Sequence, residues 1–197
     1  MWTVVTVVRG GCRRQYVAGT SSKNTHPYVT VNLSAHQFHN EGVIPMIEEA
    51  LTFSGLSPER LIIEITERVA LLDATETMST MSILSRDGIG IALDDFGTGY
   101  SSLSYLAYLS PTIIKIDRSF VSPAHVNDQL STLLEAIVSL GHKLDMTVVA
   151  EGIETRDQYE RLRDLGCQQG QGFLFSRAVP AGDVRRILNR ALGHWDG

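Results

Sequence analysis

Short apolar segments alternate with longer amphipathic ones along most of the chain. Near-continuous runs of Val, Ile and Leu, rather than strict alternation, are typical of strands that are buried on both faces. Six such runs, each with polar residues at or near one end, occupy residues 28–34, 61–66, 89–95, 112–117, 146–151 and 171–175. We therefore predict six strands of a parallel sheet.

Apolar residues at helical spacing lie between these runs and predict the connecting helices. The patterns cover residues 43–51, 79–84, 130–144, 159–165 and 181–192, the second of them less regularly than the others. Gly55 is a suitable C-terminal stop for the first. Alternation of strands and helices indicates a parallel sheet with right-handed crossovers.

An open doubly wound sheet and a closed barrel both fit this alternation. The barrel is favoured because polar residues accompany every strand end, and the C-terminal strand ends of a barrel meet at one mouth. We expect an α/β fold of the TIM-like (β/α) barrel type, with about six of eight strands recognisable and the first two missing or replaced. Residues 2–8 are β-prone and are a candidate cover for one open edge. The expected domains are an atypical N-terminal segment, 1–26, and an incomplete barrel, 27–197.

The charge distribution narrows the choice of partners. The net charge of −5 argues against a nucleic-acid duplex as the main ligand, because contacts with phosphate backbones need a basic face. All 22 acidic residues lie from Glu41 onward, so residues 1–40 supply no carboxylate to any site. No apolar run approaches the roughly 18–20 residues that a membrane span needs, so we expect a cytoplasmic protein without a span.

Polar side chains gather at the ends of the predicted strands. They are Asn32, Glu64, Asp94, Asp95, Lys115, Glu151 and Gln171. Singly, each is more often a cap, a turn residue or a solvated charge, but a barrel brings all of them to one mouth. Several carboxylates in one pocket repel each other unless cations neutralise them, and oxygen-only ligands select hard ions such as Mg²⁺ or Mn²⁺. Adjacent Asp94 and Asp95 suit two metal ions that clamp a phosphodiester, with Lys115 orienting or helping to deprotonate the attacking water.

Six motifs in the chain resemble those of the EAL domain family, over about residues 27–180. They are VNLS at 31–34, EITE at 64–67, DDFGTGYSS at 94–102, KIDRSF at 115–120, AEGIE at 150–154 and QG at 171–172. EAL domains hydrolyse the bacterial second messenger cyclic di-GMP to the linear dinucleotide pGpG. The resemblance therefore implies a metal-dependent phosphodiesterase of signal transduction, with cyclic di-GMP as its ligand.

Carried over position by position, the resemblance implies a role for each matching residue. Asn32, Glu64, Asp94, Asp95 and Glu151 match the ligands of a two-metal site for Mg²⁺ or Mn²⁺. Lys115 matches the lysine that contacts the attacking water, and Gln171 matches a glutamine that supports the site. Glu67 matches a glutamate that holds the loop 97–102, which in the family couples metal binding to a homodimer interface. A homodimer through the loop and helix after Asp95 is therefore expected.

The first part of the chain departs from the family pattern. The Glu-Ala-Leu motif that gives the family its name, whose Glu is another metal ligand, is not found, and no acidic residue precedes Glu41. Because loss of a ligand weakens a metal site severely, we expect weak or absent hydrolysis. The alternatives are a catalytically inactive module that binds cyclic di-GMP or a protein partner, and a degenerate fragment without activity.

Overall fold

The computed structural model describes residues 2–9, 12–19, 28–98, 103–122, 128–180 and 183. Within these residues eight strands form one sheet in chain order. They are β1 (Trp2–Arg9), β2 (Cys12–Gly19), β3 (Tyr28–Asn32), β4 (Leu61–Thr66), β5 (Gly90–Phe96), β6 (Ile113–Ile116), β7 (Thr147–Ala150) and β8 (Gln169–Gly170). Strands β3 to β8 are parallel, each to the next, which confirms the predicted curled parallel sheet of six strands.

The first two strands pair differently from the rest. β1 pairs with β2, and β2 with β3, both in the antiparallel sense. On its other side β1 has Cα atoms within 8 Å of β8, so the sheet curls until its first strand lies beside its last. The predicted edge cover, residues 2–8, is thus a strand, but β2 rather than β1 pairs with β3. β1 pairs with β2 because the two β-prone segments are adjacent in the chain and form a hairpin, in which Arg9 lies opposite Cys12.

Seven α-helices occur in the described residues. They are α1 (Ala35–Phe38), α2 (Val43–Ser54), α3 (Glu67–Leu72), α4 (Ala74–Arg86), α5 (Leu103–Leu109), α6 (Asp128–Lys143) and α7 (Arg156–Asp164). The four patterns predicted between the strands correspond to α2, α4, α6 and α7, whereas the short helices α1, α3 and α5 were not predicted. Gly55 ends α2 with φ of +65°, as expected for a glycine stop. The predicted helix 181–192 lies outside the described residues except at residue 183, and the loop 97–102 does so beyond residue 98.

The sixth predicted strand, 171–175, is wrong in position. The strand β8 ends at Gly170, and residues 172–175 form a turn in which the Phe175 N–H donates to the Gly172 carbonyl at 3.1 Å. Gly172 lies so close to another segment that a Cβ there would be 2.1 Å from the Ile153 carbonyl oxygen. The prediction was wrong because Leu174 and Phe175 pack against the hydrophobic core instead of continuing the sheet. Gln171 therefore follows β8 directly, as Glu151 follows β7.

A small apolar cluster fills the inside of the curled sheet. Its buried members come from four successive strands, and Tyr28 of β3 packs against them; they are Ile62, Ala92, Ile113 and Val149. The Tyr28 hydroxyl donates a 2.6 Å hydrogen bond to Gln169 Oε1, which links β3 to β8 across the interior. The larger core lies on the outer face, between the sheet and the helices. This inner cluster, called the floor below, lies directly beneath the polar residues at the carboxyl ends of the strands.

Candidate functional site

A charged side chain lies two residues after each of the four buried members of this apolar cluster. Side chains two residues apart on a strand share one face, so each apolar floor residue predicts the next inward group. Glu64, Asp94, Lys115 and Glu151 follow Ile62, Ala92, Ile113 and Val149 in this way. The alternation places all four charges inside the sheet, at the carboxyl ends of the strands, where barrel enzymes carry their active sites.

Lys115 is the centre of this cluster. Its Nζ lies 3.1 Å from Glu64 Oε1, 2.9 Å from Asp94 Oδ1 and 2.6 Å from Glu151 Oε1. The lysine is buried, and so is Glu64, while Asp94 and Glu151 are half-buried. One ammonium group therefore neutralises part of the charge of three carboxylates in a site with little access to water.

Glu64 has a further set of donors on its other side. Asn32 is its partner residue on the neighbouring strand, and Asn32 Nδ2 donates to Glu64 Oε2 at 2.7 Å. The buried side chain of Thr30 also forms a hydrogen bond with Glu64. Both carboxylate oxygens of Glu64 thus receive hydrogen bonds from the protein itself.

A break in strand geometry turns Asp95 toward the same mouth as Asp94. Consecutive strand residues normally point to opposite faces, but Asp95 has φ of +55° and the ladder with β6 changes register between Leu93 and Phe96. The Asp95 N–H donates to Asp94 Oδ1 at 3.1 Å. As a result one oxygen each of Asp94, Asp95 and Glu151 lie within 4.8 Å of one another. A left-handed non-glycine residue at this point is the kind of local strain found at functional sites.

The electrostatics of the cluster raise several pKa values. Burial, with the nearby charges of Asp94 and Glu64 and against the opposing effect of Lys115, raises the pKa of Glu151 to about 7. Burial is also the main reason why the pKa of Glu64 is raised. For Lys115, burial opposes the charged form, but the surrounding carboxylates outweigh it, so its pKa lies above the ordinary value. The lysine is therefore charged at neutral pH, and its single positive charge does not balance the three carboxylates around it.

Glu67 fixes the start of the loop that follows β5. It is the first residue of α3, is buried, and accepts a 2.9 Å hydrogen bond from the Gly97 N–H through Oε2. Gly97 has φ of +92°, and a Cβ there would lie 2.8 Å from the Phe120 ring, so both its conformation and its surroundings require glycine. The contact joins α3 to the residue two positions after Asp95.

Gln171 lies beside Glu151 through backbone hydrogen bonds. Its N–H donates to the Ala150 carbonyl at 2.8 Å, and its carbonyl accepts from the Ile153 N–H at 3.0 Å. These bonds fasten the segment after β8 to the segment after β7. The structure therefore brings Gln171 to the same end of the sheet as the other predicted residues.

Asp117 belongs to this region and was missed as a site residue. Its charge contributes, after burial and Asp94, to the raised pKa of Asp95. Its Oδ1 accepts from the Ser119 N–H at 2.9 Å, and it lines a cavity of about 470 Å³ together with Arg118 and Glu154. The signal that could have found it is its position two residues after Lys115, on the same inward face. A second cavity, of about 600 Å³, lies between α3 and the strand end at Asp95.

The residues fit a hard divalent cation. Asp94, Asp95 and Glu151 offer only oxygen ligands, and these ligands converge. Burial, together with the charge of neighbouring carboxylates, raises the pKa values of Asp95 and Glu151, and a cation would relieve both effects. No helix in the described part of the chain is long and apolar enough to cross a membrane.

Comparisons with known proteins agree on one family. The family model of the EAL domain matches residues 8–178. The oxygen sensor protein DosP of Escherichia coli K12 is 41% identical over 187 residues, which is 94% of this chain and 23% of DosP. The chain spans less than a quarter of the length of the first curated relatives it matches.

Solved structures agree in fold at appreciable sequence identity. The PaMucR phosphodiesterase in complex with c-di-GMP has a TM-score of 0.75 and 44% identity, over 79% of this chain and 63% of that one. A manganese/cy-diGMP complex of Klebsiella pneumoniae BlrP1 has a TM-score of 0.70 and 33% identity, over 75% of this chain and 38% of that one.

Proposed function

Because this chain belongs to the EAL domain family, we propose that it acts on cyclic di-GMP and hydrolyses it to pGpG with Mg²⁺ or Mn²⁺. The observation that carries the proposal is the cluster around Lys115, in which one buried ammonium contacts three carboxylates at the mouth of the sheet. The related structures of PaMucR and BlrP1 are complexes with cyclic di-GMP, and that of BlrP1 includes manganese.

Each residue has a proposed task. Asp94, Asp95 and Glu151 hold a divalent cation, and Asn32 and Glu64 stand where the family pattern has the ligands of a second metal ion. When bound, such a cation supplies Lewis acidity and positive charge beside the phosphodiester. Lys115 orients the attacking water and offsets the charge that develops on the phosphate. Gln171 supports the site beside Glu151, and Glu67 holds the loop after β5.

The proposed rate is low, for a reason that lies in the first part of the chain. Residues 1–40 contain no carboxylate, so β1 and β2 supply no acidic ligand to the site. We propose that residues 1–26 replace the opening strands of the barrel and that residues 27–197 form the EAL-type domain. Loss of a metal ligand costs more than loss of a group that merely supports one, which is itself worth about 10–100-fold.

The same observation favours a second candidate, a module that binds cyclic di-GMP or a protein partner without hydrolysing the nucleotide. Binding of the nucleotide needs fewer of the charged groups than its hydrolysis does. The loss of a metal ligand therefore lowers the rate of hydrolysis more than the affinity for the nucleotide. For either candidate we propose a cytoplasmic location and a homodimer through the loop and helix after Asp95.

The experiment measures pGpG by chromatography after incubation of cyclic di-GMP with Mn²⁺ and the purified chain in molar excess. We expect slow formation of pGpG that Asp94→Asn abolishes, while Asp157→Asn, an exposed position on α7, leaves it unchanged. Nucleotide binding by calorimetry without turnover would favour the second candidate. Neither binding nor turnover in a cooperatively folded protein would refute both hydrolysis and nucleotide binding, and absence of a partner in pull-downs would then refute the rest of the second candidate.

A further inference from the structure

The two metal positions implied by the family pattern differ in how their side chains are already engaged. In the first position Glu64 uses Oε2 to accept from Asn32 and Oε1 to contact Lys115, at 2.7 and 3.1 Å. Asn32 thus directs a donor, not an acceptor, toward its neighbour. A cation needs oxygen lone pairs, and both oxygens of Glu64 already accept from protein donors, so a cation here would compete with them.

The second position is arranged differently. Asp94, Asp95 and Glu151 each direct an oxygen to a common region within 4.8 Å. Asp94 and Glu151 contact Lys115 through one oxygen each, Oδ1 and Oε1. Each therefore keeps a second oxygen for another partner. This position has the donor set of a hard cation site, whereas the first has a completed ion pair.

The burial of Lys115 keeps the first position in this form. Its side chain is only 4% exposed and that of Glu64 only 1%, so a cation that displaced the ammonium from Glu64 would leave the lysine with one carboxylate partner fewer and little water to replace it. Displacing a buried charge from its partners is strongly unfavourable. The family pattern supplies a further carboxylate from an early strand, but residues 1–40 of this chain contain none.

We infer that Lys115 takes the place of one of the two cations, so that this chain binds a single divalent ion, held by Asp94, Asp95 and Glu151. The inference deepens the proposed function, on which it rests for the choice of ion. It assigns Lys115 a second role, as the permanent counter-charge of Glu64. It also agrees with the smaller number of carboxylates in this chain than in the family pattern.

The test counts ions without any nucleotide present. Free Mn²⁺ is followed by electron paramagnetic resonance during titration of the purified chain, and we expect one ion per chain. Two ions of comparable affinity would overturn the inference. Because no substrate is used, failure to hydrolyse cyclic di-GMP does not affect this outcome.

A substitution tests the lysine directly. Lys115→Met removes the charge at similar length, and we expect it to raise the count to two ions, whereas the exposed control Lys143→Met stays at one. A count of one in Lys115→Met would show that the lysine does not hold the second position.

A second pair of variants keeps the inference testable if Lys115→Met does not fold. Glu64→Gln keeps the side-chain shape and is expected to bind one Mn²⁺, while Asp95→Asn weakens Mn²⁺ binding by about 10-fold or more. Equal loss of Mn²⁺ in both variants would mean that Glu64 is itself a ligand and would overturn the inference.

Discussion

Removal of the Lys115 charge tests whether the cluster is held together as described. Lys115→Met would leave three carboxylates without the ammonium that lies 2.6 to 3.1 Å from them. Breaking a buried ion pair by removing one partner costs about 3–5 kcal/mol. Asp94 and Glu151 keep 15% and 19% of their side-chain surface in contact with water, so we expect the lower end, about 3 kcal/mol, in metal-free protein at pH 8.

The size of this loss should depend on pH. Burial already raises the pKa of Glu151 to about 7 against the opposing effect of Lys115, and without the lysine it rises further. A carboxyl group whose pKa is higher in the folded than in the unfolded state binds more protons when folded, so the free energy of unfolding falls as pH rises above the unfolded value of 4.5. The variant should therefore be closest to wild type at about pH 5 and furthest from it at pH 8.

Urea unfolding in the presence of a chelator measures both effects. Wild type, Lys115→Met and the exposed control Lys143→Met are compared at pH 5.5 and pH 8. We expect a loss of about 3 kcal/mol at pH 8, a smaller loss at pH 5.5, and no change in the control. Equal stability of Lys115→Met and wild type at pH 8, or a loss that does not vary with pH, would refute the reasoning.

Three further predictions concern other parts of the site and its floor. Since the pKa of Glu151 is about 7, Mn²⁺ binding should release protons at pH 6 but not at pH 8.5, and affinity should rise across this range; calorimetry in two buffers of different ionisation enthalpy measures the release. Gly172→Ala should cost about 1–3 kcal/mol in urea unfolding, because its Cβ would overlap the Ile153 backbone, and an unchanged midpoint would contradict the contact. Tyr28→Phe should cost about 1–2 kcal/mol by the same assay, since it leaves the Gln169 amide without its 2.6 Å donor; a neutral result would mean that the link from β3 to β8 is not needed.

Much of the fold follows from local pattern. The runs that form β3 to β7 are apolar and β-branched because both faces of those strands are covered, and the position of the polar residues at strand ends predicted which charges would meet. The misplaced β8 shows the limit of this reasoning, since Leu174 and Phe175 are apolar because they pack against the hydrophobic core and not because they form a strand. A two-residue strand such as Gln169–Gly170 is too short to leave a periodic signal.

Most residues of the candidate site, though not Asp117, could be predicted from the sequence, but the contacts between them could not. Each strand-end residue could be named from its position, including Asn32 and Gln171. The three-way contact of Lys115 could not, because it depends on the register between strands that are far apart in sequence. The left-handed conformation of Asp95, which turns two consecutive carboxylates to one mouth, likewise has no sequence signal beyond the Asp-Asp pair.

The position of the ligand tests the central claim most directly. A crystal structure of this chain with Mn²⁺ and cyclic di-GMP should show one ion between Asp94, Asp95 and Glu151, a phosphate of the nucleotide beside that ion, and Lys115 still in contact with Glu64. Nucleotide bound away from the carboxyl ends of the strands, or Mn²⁺ bound without these carboxylates, would contradict the account.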